Sequence, residues 1–234
     1  RSFRPEAEII ELRDLVRYKD DLVQHRAAHI QHMQKALHLM NLQLDNVITD
    51  ITGATGMQIL RAIANGERDA QVLAKYRDPR CKNSTDVIAK SLEGNYKETH
   101  VFQLQHTLAL YDAYTQTIQA CEREMEQFYQ KMACQIDRAP KPALKSRDDR
   151  RRKHHPDYDL RTYLDRVVGV DLCAVDGLSA VLVQIILSEI GTDMGRWPSE
   201  KHFASWLCTC PMHKISGGKI LSKRTRKTIN RAYG

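Results

Sequence analysis

Aromatic residues are scarce, at 6% of 234, and glycine and proline are few, at 11 and 7. Strand-rich chains draw on aromatic and β-branched residues and on many Gly/Pro turns, so this scarcity argues for helices over sheets. No apolar run approaches the ~18 residues of a membrane-spanning helix, and no signal peptide is visible. A paired cysteine framework is missing too. Cys81, Cys121, Cys134, Cys173, Cys208 and Cys210 are scattered, which fits a reduced, cytosolic setting. Acid is absent from the end of the chain. After Glu200 there is none, while Lys201, Lys214, Lys219, Lys223, Arg224, Arg226, Lys227 and Arg231 follow. With a net charge of +7, this segregation points to a polyanionic partner drawn in through counterion release.

What is present is helical periodicity. Over residues 6–51 one heptad position reads Ile9, Val16, Val23, Ile30, Leu37, Leu44, Ile51. Another reads Leu12, Lys19, Arg26, Met33, Met40, Val47. Neither Pro nor Gly interrupts the stretch between Pro5 and Gly53, so a single helix of about 65 Å is expected. A second heptad over 96–136 runs Val101, Leu104, Leu108, Tyr111, Thr115, Ile118, Met125, Tyr129, Met132, Ile136. Between them lie short helical pieces broken at 52–56, Asn65-Gly66 and Asp78-Pro79. The expected fold is all-α: a long antiparallel coiled-coil hairpin over 1–136, with a helical tip at about 52–95. Its polar seam positions invite a second copy, so dimerisation is expected there, a bundle within one chain being the alternative. Residues 137–160, with Pro140, Pro142 and a run of Arg, Lys and His, read as a basic linker. A compact C-terminal unit, 161–234, follows.

In that unit, Val170 to Ala180 followed by the apolar stretch Val181–Ile190 has a helix-hairpin-helix pattern. Gly177 allows the turn, and the next helix offers free N–H groups to a phosphate. A plain packing hairpin fits the same residues. Ser199 is the expected N-cap of a helix through Trp206, and Trp197, Phe203 and Trp206 the expected small core. The stretch Cys210–Lys219 reads as a loop. In it Gly217 and Gly218 follow Ser216 and would permit close approach of a ligand, with Lys214 and Lys219 placed to neutralise a phosphodiester. Three constellations are set aside as metal or phosphate sites. His25, His29 and His32 lack a completing ligand, Cys208, Cys210 and His213 lack a fourth, and Thr52–Gly56 lacks the Lys-Ser/Thr ending of a phosphate loop. No metal ligand is assigned.

Three stretches together carry a family likeness. The first is Ser2-Phe3-Arg4-Pro5 with Glu11-Leu12-Arg13-Asp14-Leu15 and Arg17-Tyr18, and the second is Gly66-Glu67-Arg68-Asp69. The third runs from Glu189-Ile190-Gly191-Thr192-Asp193-Met194 through Pro198-Ser199, Ala204-Ser205-Trp206 and Cys210-Pro211 to Ser216, Gly218-Lys219 and Arg224-Thr225-Arg226-Lys227. In these the chain resembles the insertion-sequence transposase family whose founding element is numbered one hundred and ten, which includes the pilin-gene invertase and the bridge-RNA-guided recombinases.

The resemblance implies a DNA transposase or site-specific recombinase. It further implies an N-terminal RuvC-like domain whose acidic quartet would hold magnesium, a coiled coil after it, and a C-terminal domain with a serine expected to attack DNA. Ser216 matches that serine. Lys214, Gly217, Gly218, Lys219, Lys223, Arg224, Arg226, Lys227, Arg231 and Gly177 are the expected nucleic-acid contacts. The implied partners are DNA, a structured guide RNA and further copies, as homodimer or homotetramer, with no membrane and a cytoplasmic, nucleoid-associated setting. The chain departs from the family pattern at Leu207-Cys208-Thr209, at His213-Lys214-Ile215 and at Thr228-Ile229. It is expected to be a segment lacking the RuvC-like domain, able to bind nucleic acid without cutting alone. The alternatives are a non-catalytic dimeric nucleic-acid-binding module and a purely structural coiled coil, the latter leaving the acid-free basic end unexplained.

Overall fold

The computed structural model describes residues 6–135, 156–208 and 214–222. These residues are overwhelmingly helical, as the composition predicts: α1 (Ala7–Leu39), α2 (Leu44–Val47), α3 (Ala54–Ala64), α4 (Ala70–Ala74), α5 (Thr85–Ser91), α6 (Glu98–Gln135), α7 (Leu160–Val168), α8 (Ala180–Ile190) and α9 (Glu200–Trp206). One exception follows them, the strands β1 (Lys214–Ser216) and β2 (Lys219–Ser222). The basic run at 147–155 and the cations from Lys223 onward lie outside the described residues. By contacts the chain divides into two compact units, Asp20–Ala120 and Arg1–Lys19 with Cys121–Gly234, and α1 and α6 contribute residues to both.

In the unit Asp20–Ala120, the expected single helix through residue 51 ends at Leu39. The stop is a Schellman motif: Leu42 N–H reaches Leu37 O at 2.9 Å and Asn41 N–H reaches His38 O at 2.9 Å. Asn41 takes the left-handed φ of 56° that this closure needs. Beyond it Met40, Leu42 and Leu44 are all fully buried, a spacing that no continuing helix would bury on one face. Most apolar heptad positions are therefore buried although the backbone changes direction, while Val23, Ile30 and Val47 are only half-buried.

The core of this unit joins Met33, Leu37, Met40, Leu42 and Leu44 to Ile59, Leu60 and Ile63 of α3, Leu73 of α4, Ile88 of α5 and Leu104 of α6. Glycine makes close backbone approaches possible at Gly56 and Gly94. A Cβ at Gly56 would lie 2.1 Å from Ile51 O, so this residue of the 52–56 stretch serves backbone packing.

In the other unit a second core joins Leu12 and Val16 of α1 and Cys121, Met125 and Tyr129 of α6 to Leu160, Leu164 and Val167 of α7 and Val183 and Leu187 of α8. The α6 end thus shares its core with helices that lie beyond 160. The basic seam positions find partners within the chain. Lys19 Nζ pairs with Glu122 Oε1 at 2.6 Å. Arg26 donates to Thr115 at 3.5 Å and lies 5.8 Å from the Tyr111 ring centroid.

Candidate nucleic-acid interface

Ser216, read above as lying in a loop, ends the strand β1. The strands pair antiparallel with Ile215 opposite Ile220 and Ser216 opposite Lys219, leaving Gly217-Gly218 as a two-residue turn. Their φ values are 55° and 77°. Positive φ at both positions is the type I′ turn, whose twist matches that of the strands it joins. A Cβ on either glycine would meet nothing within 4 Å, so in this structure backbone dihedrals, rather than lack of room, are what demand glycine.

The pairing has a chemical consequence. Directly opposed residues project to the same face of a ribbon, so Lys219 and Ser216 share a face while Ile215 and Ile220 share the other. Ser216 and Lys219 are both exposed. Among the described residues the Ser216 hydroxyl has no hydrogen-bond partner and no adjacent base. The register slips between Lys214 and Ile215, where Leu221 is the extra residue of a bulge. Lys223, Arg224, Arg226, Lys227 and Arg231 lie outside the described residues, and of Lys214 only the backbone is described.

Gly177 occupies an exposed turn with φ 93°. The segment before it differs from expectation: instead of a short α-helix there is one 3₁₀ turn, Leu172–Ala174. Asp171 accounts for this. It caps that turn at Cys173 N–H (3.1 Å) and takes a two-pronged contact from Arg161, at 3.2 and 2.6 Å. The following helix α8 is capped by its own Ser179, whose hydroxyl accepts from Leu182 N–H at 3.2 Å. One of the N–H groups expected to meet a phosphate is therefore already occupied.

The first and third family-like stretches meet in this unit. Arg17 donates to both carboxylate oxygens of Glu189, at 2.9 Å each. Arg13 donates to the backbone carbonyls of Ser188 (3.1 Å) and Glu189 (2.8 Å). The Glu189 side chain is only 7% exposed, so this carboxylate is held by two guanidiniums in a largely dry position. Arg13, Arg17 and Glu189 all lie in the family-like stretches, but nothing in the sequence pairs them. Their signal was polarity inside an apolar helix: Gln184, Ser188 and Glu189 are the polar residues of α8 and all are buried. Gln184 Nε2 serves Tyr129 Oη at 3.1 Å and Tyr158 Oη at 3.4 Å. Burial pushes both phenols well above their usual range.

Ser199 stands at the N-cap of α9 as expected, but its hydroxyl bonds to His202 Nδ1 at 2.8 Å and caps no N–H. Trp197, Phe203 and Trp206 do form a cluster, with centroids 5.0–6.3 Å apart. In the other unit His25 and His29 stack on Tyr114, at 5.9 and 5.3 Å. Burial, then His32 and His25, lowers the His29 pKa. Among the described residues no group of three or more His, Cys, Asp or Glu could hold a metal. Nor is any helix among them long and apolar enough to cross a membrane.

Residues 171–233 match the model of the transposase IS116/IS110/IS902 family. The match supports a transposase role for this stretch, a DNA-recombining one in general, and it spans Gly177, Ser216 and every expected cationic contact. No curated protein and no solved structure matches the chain.

Proposed function

We propose that the chain is part of a DNA transposase in which Ser216 attacks a phosphodiester. Two observations support this: the matched stretch contains the hairpin, and cross-strand pairing sets Lys219 on the same exposed face as the Ser216 hydroxyl. The hydroxyl oxygen would bond to phosphorus and the phosphorus–sugar oxygen bond would break. The serine proton leaves to a base, and the departing sugar oxygen gains a proton. Lys219 would offset charge on the non-bridging oxygens. Lys214, Lys223, Arg224, Arg226, Lys227 and Arg231 would hold the backbone on either side, with Gly177 at a further contact.

The resemblance adds a structured guide RNA, assembly as a dimer or tetramer, and magnesium held by the acidic quartet of a RuvC-like domain. The described residues present no cluster suited to such an ion.

The test is adduct trapping and strand exchange in the complete parent protein with Ser216→Ala. Loss of exchange by about 10³-fold or more, with DNA binding retained, is expected for a removed nucleophile. Exchange at the parent rate, or an adduct mapped to another residue, overturns the assignment and leaves the non-catalytic binding module.

A further inference from the structure

The loop that joins α4 to α5, Lys75 to Asn83, carries four cations (Lys75, Arg77, Arg80, Lys82) against one carboxylate, Asp78. Its polar groups divide into two sets. One set builds the loop. Arg77 donates to the carbonyls of Asn83 and Cys81, both at 2.6 Å. Asn83 Nδ2 donates to Val47 O at 2.6 Å, and Asp78 N–H donates to the Thr55 hydroxyl at 2.9 Å. Asp78 in turn accepts from Arg80 N–H at 2.9 Å and from its guanidinium at 3.0 and 3.1 Å. The lone carboxylate is thereby spent on holding Arg80 in place.

The other set leaves its side chains open to solvent. Lys75 and Lys82 are exposed and have no ion-pair partner among the described residues. Tyr76 is 41% exposed, and among the described residues its ring has no aromatic contact and its hydroxyl no partner. Arg80, although anchored, keeps a side chain that is 88% exposed. Bracing fixes where the exposed groups stand, and so lowers the ordering cost of binding something to them.

We propose that this loop is a second nucleic-acid contact. Lys75, Arg80 and Lys82 take the phosphates of an unpaired polynucleotide, RNA or DNA, and Tyr76 stacks on one of its bases. Interleaved cations and an exposed ring are the pattern that unpaired strands require, because bases splayed out of a duplex offer a π-face. The site stands apart from the hairpin in sequence and holds whether or not Ser216 attacks DNA.

Fluorescence anisotropy on the full chain tests it, with one labelled oligonucleotide sequence prepared as single-stranded RNA, single-stranded DNA and duplex DNA. Lys75→Glu with Lys82→Glu is expected to weaken single-strand binding by about 10-fold or more and to lower the log–log salt slope by about 1.4. Tyr76→Ala should cost about 10-fold on single strands and less than about twofold on duplex, with Tyr76→Phe near the parent. The two single-stranded arms tell whether RNA or DNA is preferred. Lys219→Glu, run in parallel, separates this site from the hairpin, because independent sites add. All the residues changed are exposed, and matching thermal melts exclude misfolding. Single-strand affinity and salt slope unchanged in the double variant overturn the proposal. An equal loss on duplex from Tyr76→Ala overturns the stacking.

Discussion

The unit Asp20–Ala120 and the hairpin 214–222 are built on opposite plans. In the first, Leu42, Leu60, Ile63, Leu73 and Ile88 are all at 0% exposure. In the second, Ile215, Ile220 and Leu221 stand at 62%, 47% and 68%. Burial of apolar surface holds the helical unit, at about 25 cal/mol per Å². The hairpin has three- and four-residue strands, and a two-stranded ribbon is marginal by itself. Its shape rests on the dihedrals of Gly217 and Gly218. The difference teaches that stability and accessibility are assigned to separate stretches: on the proposed function, a hydroxyl to be reached by a DNA strand stands where burial does not do the holding.

Truncation breaks this comparison most sharply. Leu60→Ala should cost about 2–5 kcal/mol, because a fully buried leucine leaves a cavity that its neighbours only partly fill. Ile215→Ala should stay within about 0.5 kcal/mol. Urea unfolding of both variants measures the contrast, and similar costs would show that the hairpin is packed in solution. Next in size is Glu189→Ala, which strands Arg13 and Arg17 beside a void. Removing one partner of a buried pair costs about 3–5 kcal/mol, and the 45% exposure of Arg17 reduces the expectation here to about 2–3 kcal/mol. Arg17→Ala should cost less than Glu189→Ala, since Arg13 still faces the carboxylate. A larger loss from Arg17→Ala would reverse that ranking.

How far these features could be read from the chain alone depended on the range of the interactions. Helicity and most buried seam positions were legible, because a 3.6-residue period is a local property. The end of α1 was not, because the stop is Asn41 in a left-handed conformation and neither Gly nor Pro marks it. The hairpin was legible and was read as a loop: two glycines between Lys-Ile-Ser and Lys-Ile-Leu-Ser are a type I′ signal. The Arg17–Glu189 pair spans 172 positions. No periodicity links residues so far apart, although the family likeness had quoted both. For the site, Ser216 and its neighbouring cation Lys219 were named from the sequence, while their sharing of one face needed the strand register.

The turn itself gives a smaller effect. Alanine at Gly217 must accept φ 55°, and at Gly218 φ 77°, each at about 1–2 kcal/mol. Asn at 217 with glycine kept at 218 should be tolerated, because Asn-Gly suits the same turn. Cross-strand nuclear Overhauser contacts between residues 215 and 220 report the ribbon directly. They should persist in Gly217→Asn and fade in the double alanine variant. Persistence in the double variant would mean that neighbouring structure, and not the glycine dihedrals, sets the fold of the ribbon.

The smallest expected effect separates the braced loop from the hairpin by charge. Hydrogen bonds from Arg80 lower the Asp78 pKa from 3.8 to about 2. A depressed carboxylate supplies stability that is present above the unfolded value and is lost as pH falls through the folded one. The loop should therefore keep its bracing at pH 4 and lose it toward about 2. Asp78 is partly exposed to solvent, so the change in global stability should be slight and the local titration is the better readout. A carboxyl-carbon NMR titration should place the Asp78 midpoint near 2, and Arg80→Ala should return it toward 3.8. A midpoint already near 3.8 in the parent would show that Arg80 is not held by Asp78 in solution. Bracing of the loop would then come from Arg77, Asn83 and Thr55 alone, while the hairpin, whose shape depends on no carboxylate among its own residues, would be untouched by the same change in pH.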